Sequence, residues 1–160
     1  MSLKVLVDTS FLVAHLDDQD THHQTAKILH QLFKDRGAAY IYLDFVVNET
    51  LTVLVRRARE RKSDPVPVIQ RVRKAIPLEL LDWTGPEVPR LWTSILDTME
   101  EYKGRLSFHD CLLVLIAREG GIEWVASFDR SLDRVAGIRR IGTTAAIAGR
   151  SRDQNLTGSF

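Results

Sequence analysis

The stretch KVLVDTSFLVA, residues 4–14, runs an apolar strand pattern into a carboxylate, Asp8, followed by two hydroxyl residues, Thr9 and Ser10. An ionised group at the end of a buried segment needs hydrogen bonds or a counter-charge. Asp8 is therefore either the cap of the turn at Ser10 or a neighbour of something cationic. Three further acids stand in comparable places. Glu49 comes early in the helical pattern DFVVNETLTVLVRRARERK, Asp110 in the first turn of SFHDCLLVLIAREGG, and Asp129 just past the strand pattern EWVASF. Each has a structural reading of its own: Asp8 as a cap, residues 107–110 as a capping box, Glu49 as a solvated helix acid, Asp129 as a turn residue. Four unrelated caps need not meet. A metal site built from carboxylates requires that they do.

The elements that must position these acids alternate. Residues 3–7 read as a buried strand and Ser10 opens a short helical turn. DTHHQTAKILHQLFKDRG reads as a helix with Asp20 or Thr21 as its cap and Gly37 just past its end. Residues 40–43 are β-rich. The next helix has Asp44 as N-cap, with Val47, Leu51, Leu54, Val55 and Ala58 at helical spacing. Further helices are expected over 66–74, 86–102 and SFHDCLLVLIAREGG, the last with a stripe of Phe108, Cys111, Leu112, Leu115 and Ile116. Strands are expected at LELLDW and EWVASF, a helical turn at 131–135 and an edge strand at 138–141. Alternating strands and helices imply a mainly parallel sheet covered on both faces. Ligands in such folds gather beyond the carboxyl ends of the strands. Asp8 and Asp129 lie at two such ends. Glu49, at the border of its apolar face, and Asp110 begin helices that pack on the sheet, so both point toward the same crevice.

The chain has 160 residues, 44% of them hydrophobic, which suits one domain with a sizeable core. We expect that domain over 1–141 and a peripheral or mobile tail over 142–160. Lys and Arg number 22 against 21 for Asp and Glu, so any polyanion must be met by a local basic patch. The single cysteine, Cys111, excludes an internal disulfide framework and is compatible with a reducing cytoplasm. It falls on an apolar face and reads as a small hydrophobe. No signal peptide or membrane-spanning run is visible, and the expected location is cytoplasmic.

Taken in order, VDTSFLVA, NET, LSFHDCLLVLIAREGGI and SFDRSLDRVAGIRR make the chain recognisable. It resembles the PIN-domain family, particularly the VapC-like ribonuclease toxins of type II toxin–antitoxin systems, from about residue 3 to 140. Family members often carry Thr and Phe where this chain has Ser127 and Leu132. The resemblance implies a three-layer α/β/α sandwich with a mainly parallel central sheet of four to five strands. It also implies an endoribonuclease hydrolysing RNA phosphodiester bonds, a cognate antitoxin as partner and a homodimer. By the resemblance, Asp8, Glu49, Asp110 and Asp129 form the metal-binding and catalytic set, with Asp8 and Asp110 as direct ligands and the other two acting through water. Ser127 is expected to orient Asp129 or a water, and Thr9 and Ser10 to hold Asp8 or a water.

An all-oxygen, carboxylate-rich ligand set suits Mg²⁺ or Mn²⁺ and not Zn²⁺. The stretch HLDDQDTHH looks superficially like a metal cluster, but adjacent His22 and His23 cannot both face one site on a helix, so it reads as a helix start. Asp133 is a possible additional acid. Candidate phosphate contacts are the basic runs 56–62 and 71–74 and the pair Arg139 and Arg140. Two other readings stay open. An aspartyl phosphatase using Asp8 as nucleophile would usually show a second aspartate where this chain has Ser10. A catalytically silent RNA-binding module would not need all four acids.

Overall fold

Val5, Leu6 and Val7 are wholly buried, and such an uninterrupted apolar run is what the middle of a parallel sheet requires. In the computed structural model, which describes residues 3–145, this segment forms the central strand β1 (Lys4–Val7). The chain continues through α1 (Thr9–Leu16), α2 (His23–Asp35), β2 (Ala39–Leu43), α3 (Asp44–Glu60) and α4 (Val66–Ala75). A 3-10 turn (Leu78–Leu80) then leads to β3 (Leu81–Asp82), α5 (Glu87–Glu101), α6 (Phe108–Glu119), β4 (Trp124–Ala126), a second 3-10 turn (Arg130–Arg134) and β5 (Arg139–Ile141).

The strand order is β3-β2-β1-β4-β5, every neighbouring pair parallel. From β1 the chain steps one way to β2 and β3, then crosses to the far side for β4 and β5. Right-handed crossovers therefore put α1 to α4 on one face and α5 and α6 on the other. The packing agrees: α1 meets α2, α3 and α4, while α5 packs on α6. The result is a three-layer α/β/α sandwich whose direction of winding reverses between β1 and β4. A smaller cluster of Val13, Leu16, Leu54 and Val72 joins α1, α3 and α4.

Several local expectations shift, each for a traceable reason. Helix α2 starts at His23, not after Asp20 or Thr21, because the Asp20 carboxylate accepts the His22 N–H at 2.8 Å and closes a turn first. Asp44 is the first residue of α3, not its cap; its Oδ1 accepts from Thr84 N (3.1 Å) and Oγ1 (2.5 Å), tying the helix start to the loop after β3. The buried face of α3 is Val46, Thr50, Leu54 and Ala58. Thr50 is tolerated there because its hydroxyl donates to Val46 O at 2.7 Å, so the face is rotated from the purely apolar one. On α6 the buried residues are Cys111, Leu112, Leu113, Val114 and Ala117. A helix packed against both the sheet and α5 buries more than one stripe. LELLDW yields only the two-residue β3, at the edge of the sheet.

Gly37 has a φ of 64° and ends α2 as the sequence implies. No helix among the described residues is long and apolar enough to cross a membrane. Of the expected tail, residues 146–160 lie outside the described residues.

Candidate active site

Val7 pairs with Ala126 across the β1–β4 ladder, so the next residues out of the sheet, Asp8 and Ser127, face each other. Both backbones stay on the ladder one residue further: Asp8 N–H donates to Ala126 O and Ser127 N–H to Ile141 O, each at 3.0 Å. Ser127 is completely buried, and its hydroxyl donates to Asp8 Oδ2 at 2.7 Å. The Ser10 hydroxyl donates to the same oxygen at 2.7 Å. Each hydroxyl also accepts a backbone N–H, Ser10 from Phe128 (2.9 Å) and Ser127 from Asp129 (3.0 Å). A hydroxyl carries one proton. Here both protons are aimed at one carboxylate oxygen, which favours the ionised acid. Asp8 also caps α1 through the Ser10 N–H at 3.4 Å, so cap and site residue are one and the same position.

Asp8 is only 9% exposed. Burial pushes its carboxyl above the ordinary range; the bonds from Ser10, Ser127 and the Thr9 backbone pull it down, and the charge on Asp110 pushes it up again. The net direction is upward. A cation beside Asp8 would reverse that balance.

The other acids reach the same place from separate elements. Asp110 completes a capping box at the start of α6, its Oδ2 accepting Ser107 N–H at 2.7 Å while Ser107 Oγ accepts Asp110 N–H at 3.2 Å. Glu49, on α3, accepts the Thr9 hydroxyl at 3.1 Å, and His109 Nδ1 lies 4.0 Å away. Asp129 caps the turn after β4 through Ser131 N–H at 2.8 Å. A cleft of about 480 Å³ opens at the carboxyl ends of β1 and β4, and Asp8, Glu49, Asp110 and Asp129 all line it. The Thr9 hydroxyl therefore supports Glu49, while its backbone bonds Asp8. Ser127 meets the Asp129 backbone, and the carboxylate it orients is that of Asp8. Asp133 is elsewhere, ion-paired with Arg140 at 2.6 Å.

Three residues the sequence reading did not place at the acids also line the cleft: Asp20 and His22, read as part of a helix start, and Arg57, read as part of a basic run for phosphate. His22 stacks on Phe128 with ring centroids 4.4 Å apart, giving the cleft an aromatic wall. Arg57 Nη1 is held by Asp17 (2.9 Å) and Asp20 (2.7 Å), and Arg61 adds a second contact to Asp17 at 2.9 Å. The charge of Arg57 is thus answered outside the four acids. Burial raises the Asp17 carboxyl, but Arg61 and Arg57 overcome it and hold the group down at about 2. Asp17 and Asp20 of HLDDQDTHH are engaged by arginines 37 to 44 residues away, a separation that local pattern does not reveal.

The donor set at the cleft is carboxylate and hydroxyl oxygen, which fits a hard divalent cation. Among the described residues no three His, Cys, Asp or Glu side chains stand as a ready-made metal-holding group. Mg²⁺ commonly binds through one or two carboxylates and keeps several waters, so the arrangement is compatible with it.

Comparison with known proteins adds the lineage. The model of the PIN domain matches residues 5–138. Among solved structures, the sarcin–ricin-loop-cleaving toxin VapC20 of Mycobacterium tuberculosis superposes with a TM-score of 0.58 at 23% identity, over 78% of this chain and 89% of that one. PAE2754 from Pyrobaculum aerophilum gives a TM-score of 0.60 at 20% identity, over 95% and 91% respectively. No curated protein matches the chain.

Proposed function

Because the chain belongs to the PIN-domain family, we propose that it is a divalent-metal-dependent endoribonuclease, the VapC-like toxin of a toxin–antitoxin pair, working in the cytoplasm as a single domain over residues 1–141. The observation that carries the reading is the convergence of Asp8, Glu49, Asp110 and Asp129, from four distant segments, on one cleft at the winding reversal of a parallel sheet. One neighbour of the same fold is a toxin that cleaves the sarcin–ricin loop, which supports RNA as the substrate class.

In this reading Asp8 and Asp110 hold Mg²⁺ or Mn²⁺ directly, and Glu49 and Asp129 do so through water. When bound, the ion stabilises charge on the phosphoryl group and lowers the pKa of the attacking water. The residues of the chain supply the frame. Ser10 and Ser127 lock Asp8 Oδ2 in orientation from behind. Thr9 steadies Glu49, and the helix start at Asp110 is a place where negative charge is favoured. His22 and Phe128 offer a flat face on which a nucleobase stacks. The cognate antitoxin and a second copy of the chain are the expected partners. Trp83, Trp92, Leu78 and Leu80, each half-exposed or more, supply apolar surface for such contacts.

The deciding experiment incubates purified protein with structured RNA under Mg²⁺, Mn²⁺ and chelator, alongside Asp8→Asn. Metal-dependent cleavage that disappears in the variant is expected. Phosphate release without metal would instead favour a phosphatase, and RNA binding without cleavage under every condition a silent module.

A further inference from the structure

A second cleft, also about 480 Å³, adjoins the first. Two segments line both. Ser107 and Asp129 face the carboxylate cleft, while their neighbours Arg105, Leu106, Arg130 and Ser131 face the second. The second cleft has the opposite charge: Lys103, Arg105, Arg130 and Arg134 line it against one acid, Glu101. Among the described residues none of these four side chains makes an ion pair or hydrogen bond. The basic residues flagged in the sequence are largely engaged by contrast, with Arg56, Arg57, Arg61, Arg139 and Arg140 all in ion pairs.

One more group there lacks a partner. Ser131 Oγ is buried and makes no hydrogen bond, although the Ser131 N–H is committed to Asp129 Oδ1 at 2.8 Å. A buried hydroxyl left unpaired is costly, and this one has a proton to donate. Arg130 feels the charge of Asp133 but is not paired with it, and cations without a contact partner beside a spare hydroxyl donor suit an acceptor-only anion, which is what a phosphodiester presents. Four carboxylates repel a polyanion, so a substrate strand needs positive charge close to the acids that act on it.

We propose that this cleft is a phosphate subsite that grips the backbone of the RNA strand next to the phosphodiester placed at Asp8. The proposal deepens the nuclease reading and rests on it for the identity of the polymer. Arg130 and Arg134 hold the phosphate from the turn after β4, Arg105 and Lys103 from the loop after α5, and the Ser131 hydroxyl, closed to solvent in its present rotamer, turns to donate to one of its oxygens. Because Arg130 and Ser131 follow Asp129 directly, a strand seated there leads into the carboxylate cleft.

The test uses the full chain carrying Asp8→Asn, a labelled single-stranded oligoribonucleotide and fluorescence anisotropy over a salt series. Adding Arg130→Gln and Arg134→Gln is expected to weaken binding roughly tenfold and to reduce the salt slope by about 1.4, the share of two lost contacts to a single strand. Ser131→Ala should cost about threefold. The control pair Lys27→Gln and Lys34→Gln, exposed on α2 and outside both clefts, should change affinity less than twofold. Should the Arg130/Arg134 variant melt early, Lys103→Gln with Arg105→Gln on the facing loop carries the same expectation. Unchanged affinity and slope, or an equal loss in the control pair, overturns the subsite. Tighter binding of polyglutamate than of RNA at equal charge also overturns it, in favour of an acidic protein partner. Cleavage by the wild-type chain is assayed in parallel. Arg130-dependent binding without metal-dependent cleavage keeps the subsite and removes the nuclease reading, whereas cleavage with unchanged binding does the reverse.

Discussion

Asp8 and Ser127 are 119 residues apart in the chain and joined by a 2.7 Å hydrogen bond at the seam between two parallel strands. The bond follows from register. With Val7 opposite Ala126, the first residue beyond each strand must meet the other, and a small hydroxyl at 127 is what fits beneath a carboxylate at 8. Ser10 supplies the second donor from the start of α1, so three residues from two chain segments behave as one unit.

Ser127→Ala removes that donor and leaves the Asp129 N–H without its acceptor. We expect a stability loss of about 1–3 kcal/mol by urea unfolding. Losing a bond that favours the ionised acid raises the Asp8 carboxyl further, so the acid limb of the pH–rate profile should move to higher pH. An unchanged acid limb together with lost stability would mean that Ser127 is only a packing residue.

Asp17 is buried, and its arginine partners keep it charged. Its carboxyl titrates near 2 in the folded chain, against an ordinary value of 3.8. A depressed acid contributes stability that is complete above the unfolded value and lost as pH falls through the folded one. Asp17→Asn should therefore cost about 2 kcal/mol at neutral pH, with the gap to wild type closing between pH 4 and pH 2. Urea melts of both proteins across that range check the sign; a gap that persists at pH 2 would reject it.

The fold, and the meeting of the four acids in one cleft, were legible because both depend on local pattern. Buried strands read as apolar runs, helix starts carry their caps, and strand ends mark the crevice. The contacts of the Thr9 hydroxyl, Arg57 and His22 were not legible. Thr9 serves Glu49 because α1 and α3 pack side by side, and the two residues are 40 apart. Arg57 sits in a charge-rich run that looks solvated until α3 is laid against the loop holding Asp17 and Asp20. The basic cleft was invisible for the same reason: its cations come singly from a loop after α5 and a turn after β4, and never form a run.

His15 carries the opposite kind of pH dependence. Burial, helped by His30, His23 and Lys27, lowers its imidazole to about 4, and its buried Nδ1 has no hydrogen-bond partner. The unfolded chain takes up this proton near 6.5 and the folded chain does not, so stability should fall as pH drops from 6.5 toward 4. His15→Phe keeps a ring between Phe11 and His30 and removes the titration. Its stability should vary less with pH across that window, as read by thermal melts at half-unit steps. A slope equal to wild type would place the acid sensitivity elsewhere.

Gly142 tests how closely the site depends on the strand beside it. A Cβ at this position would lie 2.6 Å from Ser127 O and would run into the guanidinium of Arg140. That guanidinium donates to Ser127 O at 3.0 Å and holds Asp133 on its other side. Backbone cannot yield as a flexible side chain does, so Gly142→Ala must shift either β5 or the segment carrying Ser127. We expect a loss of about 1–3 kcal/mol, typical of overpacking, and a fall in metal-dependent cleavage larger than that of Asp133→Ala. Asp133→Ala removes the partner of Arg140 but leaves the Ser127 backbone in place. Equal cleavage by the two variants would show that Asp8 tolerates displacement of Ser127 and that Ser10 alone suffices to orient it.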